Sequence, residues 1–342
     1  MHRPIVFLFS GQGSHYYQMG NEMFRQLPVF QQWMMRLDER VQALIGESVV
    51  RELYESQKRI SDPFERTAIT HPAIFMVEYA LAQTLIASGV RPDCVLGTSM
   101  GEFAAAAVAG AITPEEALKL LIDQAQLLDA RCERGGMLAV IHDPSLYHRE
   151  ALLYNNSELA SVNFDSHFVL AGPRENLLAI EKHLKQQEIV CVMLPVLQAF
   201  HSSRIDPAGH YYRMILKGHP LAPPRIPFMS GALGKRLSQL PDTYLWDVVR
   251  EPIQLPKAVQ ELERERPHVY LDLGPAGTMA NFVKRNLAPG TQSEIFATMT
   301  LFNQDIKNVN LIIETFASAQ STSASMPIST PVPLPSSSPA AA

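Results

Sequence analysis

Residues 94–103 read Cys94-Val95-Leu96-Gly97-Thr98-Ser99-Met100-Gly101-Glu102-Phe103. Cys94-Val95-Leu96 is a short apolar run ending at a glycine, which predicts a buried strand. Glu102 to Ala111 is rich in alanine and predicts a helix. Between them Gly97, Ser99 and Gly101 form a G-x-S-x-G motif, flanked by strand and helix as that motif requires. A sharp turn there lifts the Ser99 hydroxyl clear of the backbone. Gly97 and Gly101 leave space where a Cβ would meet neighbouring chain. The following helix points its first amides and positive dipole end at the serine, which suits a developing oxyanion. By pattern alone the motif also fits an ordinary strand-to-helix turn with a capping serine; its flanks favour a nucleophile.

Working outward, Ile5 to Phe9 is another short buried strand, closed by Ser10-Gly11-Gln12-Gly13. A helical stretch is expected from there to about residue 57, and a second over residues 72–88, whose apolar positions recur at helical spacing. Val269–Leu273 reads as a strand, followed by the turn Gly274-Pro275-Ala276-Gly277 and a helix over Thr278–Leu287. Strands alternating with helices predict an α/β core with a mostly parallel sheet. The pattern changes at Gly135-Gly136. Strands over 137–141, 159–164, 167–171 and 190–196, with helices over 145–153 and 174–187, give the order β-α-β-β-α-β of a ferredoxin-like subdomain. The expected layout is a core of 1–134 and 198–316, an insert at 135–197, and a Ser/Pro/Ala-rich tail at 317–342. Such a tail cannot bury enough apolar surface to offset its ordering entropy, so it is expected to be disordered or to serve as a linker.

Composition narrows the function classes. The chain has 342 residues, 46% hydrophobic and 18% charged, with a net charge of −5. That supports a sizeable core and argues against a dedicated nucleic-acid binder. Its 3 cysteines, Cys94, Cys132 and Cys191, show no CxxC spacing, which leaves a disulfide scaffold or structural zinc unsupported. The apolar run at the start is too short for a signal peptide or membrane span, so a cytoplasmic setting is expected.

A serine needs a base. Among 11 histidines, His201 stands out, because Gln198-Ala199-Phe200-His201-Ser202-Ser203 follows the insert's last strand. There the chain returns to the core, and subdomain boundaries form clefts. Gly11-Gln12-Gly13-Ser14 allows close backbone approach to a ligand, or is a plain tight turn. It is no phosphate loop, since no GK[ST] follows.

These residues reach a family. FSGQGSHYYQMG at 9–20, THPAIF at 70–75, GTSMGEFAAAAVAG at 97–110, QAFHSS at 198–203, EPIQLPKAV at 251–259 and DLGPAGT at 272–278 appear in order. The chain resembles the malonyl-CoA:acyl carrier protein transacylases. It looks most like the freestanding homologues that serve polyketide synthases in trans, from about Pro4 to Ile313. The resemblance implies a hydrolase-like α/β core with a ferredoxin-like insert and the site between them. It implies Ser99 as the acylated nucleophile and His201 as general base, then acid. It also implies an oxyanion hole from the Gln12 and Met100 amides, and the backbone carbonyl of Gln254 orienting the histidine. Asp206, close after His201, is expected to be structural.

Departures from the family pattern bear on the substrate. The family has histidine before the nucleophile; here it is Thr98. It has glutamine before Pro72; here it is His71. Malonyl-using members carry an arginine on the helix after the nucleophile, which clamps the substrate carboxylate; here the matching residue is Gln124. Arg131 and Arg134 lie too far along to substitute. A malonyl carboxylate would be desolvated without a counter-ion, at several kcal/mol. An acyl pocket of Gln124, Thr98, Phe200 and His71 is therefore expected to prefer uncharged groups. The resemblance then points to acyl hydrolases that clear short acyl units from acyl carrier proteins, with transfer from acyl-CoA or malonyl-CoA as the alternative and an inactive docking module as the lesser one. No metal or bound cofactor is implied; phosphopantetheine enters as the carrier arm or as coenzyme A. The expected partner is an acidic acyl carrier protein, met by Arg204, Lys235, Arg236 or Arg285, with the chain itself a monomer.

Overall fold

A computed structural model describes residues 3–302 and 304–321, with side chains to 317. Ten strands occur among these residues: β1 (Ile5–Phe9), β2 (Cys94–Gly97), β3 (Gly135–Val140), β4 (Glu158–Phe164), β5 (His167–Pro173), β6 (Cys191–Met193), β7 (Phe228–Ser230), β8 (Lys235–Leu237), β9 (Val269–Asp272) and β10 (Glu294–Ala297). They form a six-stranded sheet, β10-β9-β1-β2-β7-β8, and a four-stranded sheet, β4-β5-β3-β6. The larger sheet is parallel except where β8 runs against β7. The smaller is antiparallel throughout.

β1 lies at the centre of the large sheet and is buried along its whole length. Side chains alternate across a strand, so a parallel strand covered on both faces must be apolar at every position. Ile5, Phe7 and Phe9 join the core with helices Thr67–Ala87 and Gly101–Val108. Val6 and Leu8 face the other way, onto helices Leu255–Glu265 and Thr278–Asn286. β2 pairs in register, Val6 opposite Cys94 and Leu8 opposite Leu96, so the same division runs through it. Helix Thr67–Ala87 is buried on nearly every face, as expected of a helix apolar all round.

The inserted segment carries its own core, in which Leu138, Val140, Phe168 and Leu170 pack on Leu177, Ile180 and Leu184. Its other face turns toward the main sheet. A single bridge, Ser161 with Ile253, joins the two bodies in parallel, and the Ile253 amide donates to the Ala160 carbonyl at 3.0 Å.

Several expectations shift. The region after β1 is a turn followed by helices Asn21–Gln26 and Pro28–Ile45: left-handed Gly20 precedes the first, extended Leu27 before Pro28 separates them, and left-handed Gly46 ends the second. Strand 190–196 shortens to β6, since Pro195 cannot extend a ladder. The helix foreseen from 72 starts at Thr67 and carries Pro72 within it. The last helix runs Asp305–Ser321, so 317–321, placed in the tail by composition, are helical; 322–342 lie outside the described residues. No helix among the described residues is long and apolar enough to cross a membrane.

Candidate active site

The turns at the C-terminal ends of β1, β2, β7 and β9 gather on one side of the sheet, where open α/β sheets bind ligands. The turn after β2 is the tight one. Ser99 holds φ 55°, in the left-handed region that costs a non-glycine residue on the order of 1 kcal/mol or more. Bonds on both sides lock it there: Gly101 N to Thr98 O at 2.9 Å and Glu102 N to Ser99 O at 3.1 Å. A Cβ on Gly97 would lie 2.6 Å from Glu102 Cα, and one on Gly101 would collide with the Phe9 and Ser10 carbonyls. Gly101→Ala is therefore expected to lower stability by about 1–3 kcal/mol or to block folding, read as a fall of several degrees in Tm; an unchanged Tm would show the turn can open.

His201 comes from the segment after β6 and also sits at positive φ, 59°. Its amide donates to the Val249 carbonyl at 2.9 Å. Its Nε2 lies 2.8 Å from Ser99 Oγ, and its Nδ1 lies 2.7 Å from the Glu251 carbonyl. A carbonyl can only accept, so Nδ1 carries the proton and Nε2 is left to accept from the Ser99 hydroxyl. Burial, with a small contribution from Arg250, pulls the imidazole down to about 4, against the Glu251 carbonyl that raises it. The ring is therefore neutral at physiological pH.

The histidine-orienting carbonyl is thus that of Glu251. Gln254 is a correction: it begins helix Leu255–Glu265, and its amide donates to the Gly231 carbonyl at 2.7 Å. The chain passes His201 three residues earlier, at the C-terminal end of helix Tyr244–Arg250. Arg250 bonds Asp206 at 2.5 Å, so Asp206 faces the segment that presents Glu251.

Beneath the serine lies a carboxyl network that sequence reading passed over. Glu102 is fully buried. It accepts from the Ala232 amide at 2.8 Å and Ser230 Oγ at 3.4 Å, with Tyr244 Oη on its other oxygen. Burial pushes it up to about 8, against these donors. It ties the elbow helix to the turn after β7 and to the helix leading to Glu251. An acid alone in the run GEFAAAAVAG was the available signal. A similar tie holds the first turn: Ser10 donates through its amide and hydroxyl, both 2.7 Å, to buried Glu78.

A cavity of about 310 Å³ opens onto Ser99 and His201. Gln12, Thr98 and Phe200 help line it, as do Met137, Ala139, Asn163, His167 and Val169 from the insert and Met279 and Phe282 from helix Thr278–Asn286. Gln12 donates through its side chain to Thr70 Oγ1 at 3.0 Å. Gly11 passes so close to Ser99 that a Cβ on it would lie 2.9 Å from Ser99 Cβ, bringing the Gln12 turn beside the elbow. Met100 follows Ser99 directly and is buried. Asn163 and His167, which the sequence reading did not single out, are 3.0 Å apart, Nδ2 to Nδ1.

Gln124 and His71 are a second correction: neither is in the cavity wall. Both are fully buried. The Gln124 amide donates to the Leu245 carbonyl at 3.3 Å, and its Oε1 has no partner among the described residues. Helix Pro114–Arg131 turns that position toward helix Tyr244–Arg250. His71 stands behind Phe200, ring centroids 5.6 Å apart, with both ring nitrogens unpartnered; burial pulls its pKa down to about 3. Of the cations considered, Arg236 is held by Glu265 at 2.6 Å at the far edge of the main sheet. Arg204 shares a separate cleft with Arg131 and Arg134. Lys235 stands on the same edge strand as Arg236, β8. Arg285 sits almost one turn beyond Phe282, which lines the cavity, with its guanidinium 5.9 Å from the Phe164 ring.

Comparison with known proteins agrees with this geometry. The family model described as "Acyl transferase domain" matches residues 6–326. The chain is 43% identical over 318 residues to the polyketide biosynthesis acyltransferase homolog BaeD of Bacillus velezensis, covering 93% of this chain and 98% of that protein. It is 42% identical over 312 residues to the homolog PksD of Bacillus subtilis, covering 91% and 96%. Among solved structures, the acyltransferase domain from the second module of the salinomycin polyketide synthase superposes with a TM-score of 0.80 at 26% identity, covering 96% of this chain and 79% of that one. Malonyl CoA-acyl carrier protein transacylase from Clostridium perfringens shares the fold, with a TM-score of 0.75 at 21% identity, covering 94% and 99%. A neutral histidine aimed at a strained serine, in a chain matched along nearly its whole length, places this protein in the acyl transferase domain family.

Proposed function

We propose that this chain hydrolyses short, uncharged acyl thioesters on the acyl carrier proteins of a polyketide synthase. Ser99 Oγ attacks the thioester carbonyl as His201 Nε2 takes its proton. The amides of Gln12 and Met100 receive the oxyanion. The C–S bond breaks, and His201 returns the proton to the departing sulfur. Water then attacks the acyl-Ser99 ester, giving its proton to His201, which passes it to Ser99 Oγ as the ester breaks. The products are a carboxylic acid and a free thiol. Phosphopantetheine is part of the substrate here, and no metal enters.

The observation carrying the choice of acyl group is the cavity wall, which among the described residues contains no lysine or arginine side chain. An acid brought to Ser99 would be desolvated without a counter-ion. The polyketide setting is supported by the names of the relatives that match over nearly their full length. Transfer to a second thiol is the alternative reading. It shares every step up to acyl-Ser99, and the family supports it.

Acetyl- and malonyl-loaded carrier protein and malonyl-CoA should be offered to the purified protein and followed by mass. Release of acetate at a rate well above malonate release is expected. Rapid malonyl loading of a holo carrier protein would establish transfer instead. Because Gln124 is fully buried and points at Leu245 rather than into the cavity, Gln124→Arg is expected to lower Tm by several degrees, for a charge buried without a partner, and to leave the malonyl-to-acetyl ratio of kcat/KM within about twofold. A tenfold rise in that ratio would show that position 124 reaches the acyl group.

A further inference from the structure

The insert's core-facing sheet surface continues out of the cavity onto open surface. Met137 and Ala139 of β3 line the cavity. Side chains two apart in a strand share a face, and Ala139 pairs with Val192 on the edge strand β6. The Ile141 amide extends the ladder by donating to the Val190 carbonyl at 2.9 Å. Ile141, Val190 and Val192 therefore prolong the face that Met137 and Ala139 begin. They are 48%, 62% and 58% exposed, while Cys191 between the two valines turns inward and is buried. The opposite bank is helix Thr278–Asn286. Its Phe282 lines the cavity, and Arg285, almost one turn further out, is exposed, stacks on Phe164, and makes no ion pair among the described residues.

We infer that Ile141, Val190 and Val192, with Arg285 across the cavity mouth, form the docking surface for the body of the acyl carrier protein. This rests on the thioester reading above. The cavity admits an acyl group on a flexible arm but no folded domain, so the carrier's body stays on the rim. Along β3, Met137 to Ile141 spans roughly 13 Å at the rise of a strand, so the rim lies an arm's reach from the serine. An acidic carrier with an apolar helix face meets an apolar bank on one side and a cation on the other. Contact with the valines is short-range, so it contributes to KM and residence, while Arg285 acts on association and is screened by salt.

The test compares acetyl-loaded carrier domain with acetyl-pantetheine, which has an arm but no body. Val190→Asp/Val192→Asp is expected to raise KM for the carrier substrate about tenfold or more and to leave acetyl-pantetheine turnover within twofold. Arg285→Glu should raise the carrier KM mainly at low salt. Val190→Ser/Val192→Ser, milder at exposed positions, repeats the comparison should the aspartates impair folding. Carrier kinetics unchanged in the valine variants, or equal losses on both substrates, would overturn the docking surface. Anisotropy of a labelled holo carrier domain reads the same contact without turnover. If the unmodified protein cleaves neither thioester, the hydrolase reading fails, while loss of carrier binding in the valine variants still supports the surface and its retention overturns it.

Discussion

Ser99→Ala is expected to lower kcat by at least about 10⁴-fold and to abolish the mass gain that an acyl donor produces on the unmodified protein. At 1.36 kcal/mol per tenfold, that is about 5 kcal/mol of transition-state stabilisation. The size follows from the mechanism: without the hydroxyl no ester forms, and the His201 ring has no oxygen 2.8 Å away to deprotonate. Removal of one cavity-facing hydroxyl leaves the packing around Gly97 and Gly101 in place, so Tm should move by no more than a few degrees. An acyl adduct that persists on the alanine variant would move the nucleophile elsewhere and remove the basis of the proposed reaction.

His201→Ala is expected to cost about 10³-fold or more, the range for a group that acts as base and then acid. The unmodified protein supplies a second readout. With the imidazole pulled down to about 4, the base is free throughout the neutral range. The sign is simple: His201 accepts a proton only when neutral, so protonation removes activity as pH falls through its folded value. kcat/KM is expected to stay flat from about pH 8 to pH 5.5. An exposed histidine near 6.5 would already have lost about nine-tenths of its activity at pH 5.5. A half-point at 6.5 would mean that the ring is solvated in the working enzyme. His15 and His71 are also buried and held neutral by desolvation. All three bind protons more readily when unfolded, so below about 6.5 each opposes folding increasingly as pH falls. The acid limb should therefore be read on samples whose folding is monitored alongside.

Much of this was open to reading because the strongest signals were local. Cys94 to Phe103 carries strand, turn and helix within one contiguous stretch, and the Cβ collisions at Gly97 and Gly101 arise from chain close in sequence or paired in register. β1 and β9 announced themselves by short apolar runs, which the structure buries along their length. β7, β8 and β10 did not: two span three residues and one is half exposed, too short or too mixed for a period to show. The placement of Gln254 failed for a related reason. Glu251, Pro252, Ile253 and Gln254 are neighbours along the chain, and spacing alone cannot say which carbonyl turns toward a ring delivered from position 201.

The chain by itself determined the elbow, the parallel core and the inserted β-α-β-β-α-β segment, because each rests on short-range periodicity, and it offered Ser99 by its motif and His201 through the family resemblance as the candidates that the structure brings together. Tertiary structure alone decided that Glu251 holds the imidazole, that Glu102 braces the elbow, that Gln124 points at Leu245 and not into the cavity, and that the wall around the serine has no lysine or arginine among the described residues. Those facts depend on where helices from distant segments come to rest against one another, and side-chain direction at such contacts is set by packing, which one-dimensional order does not encode.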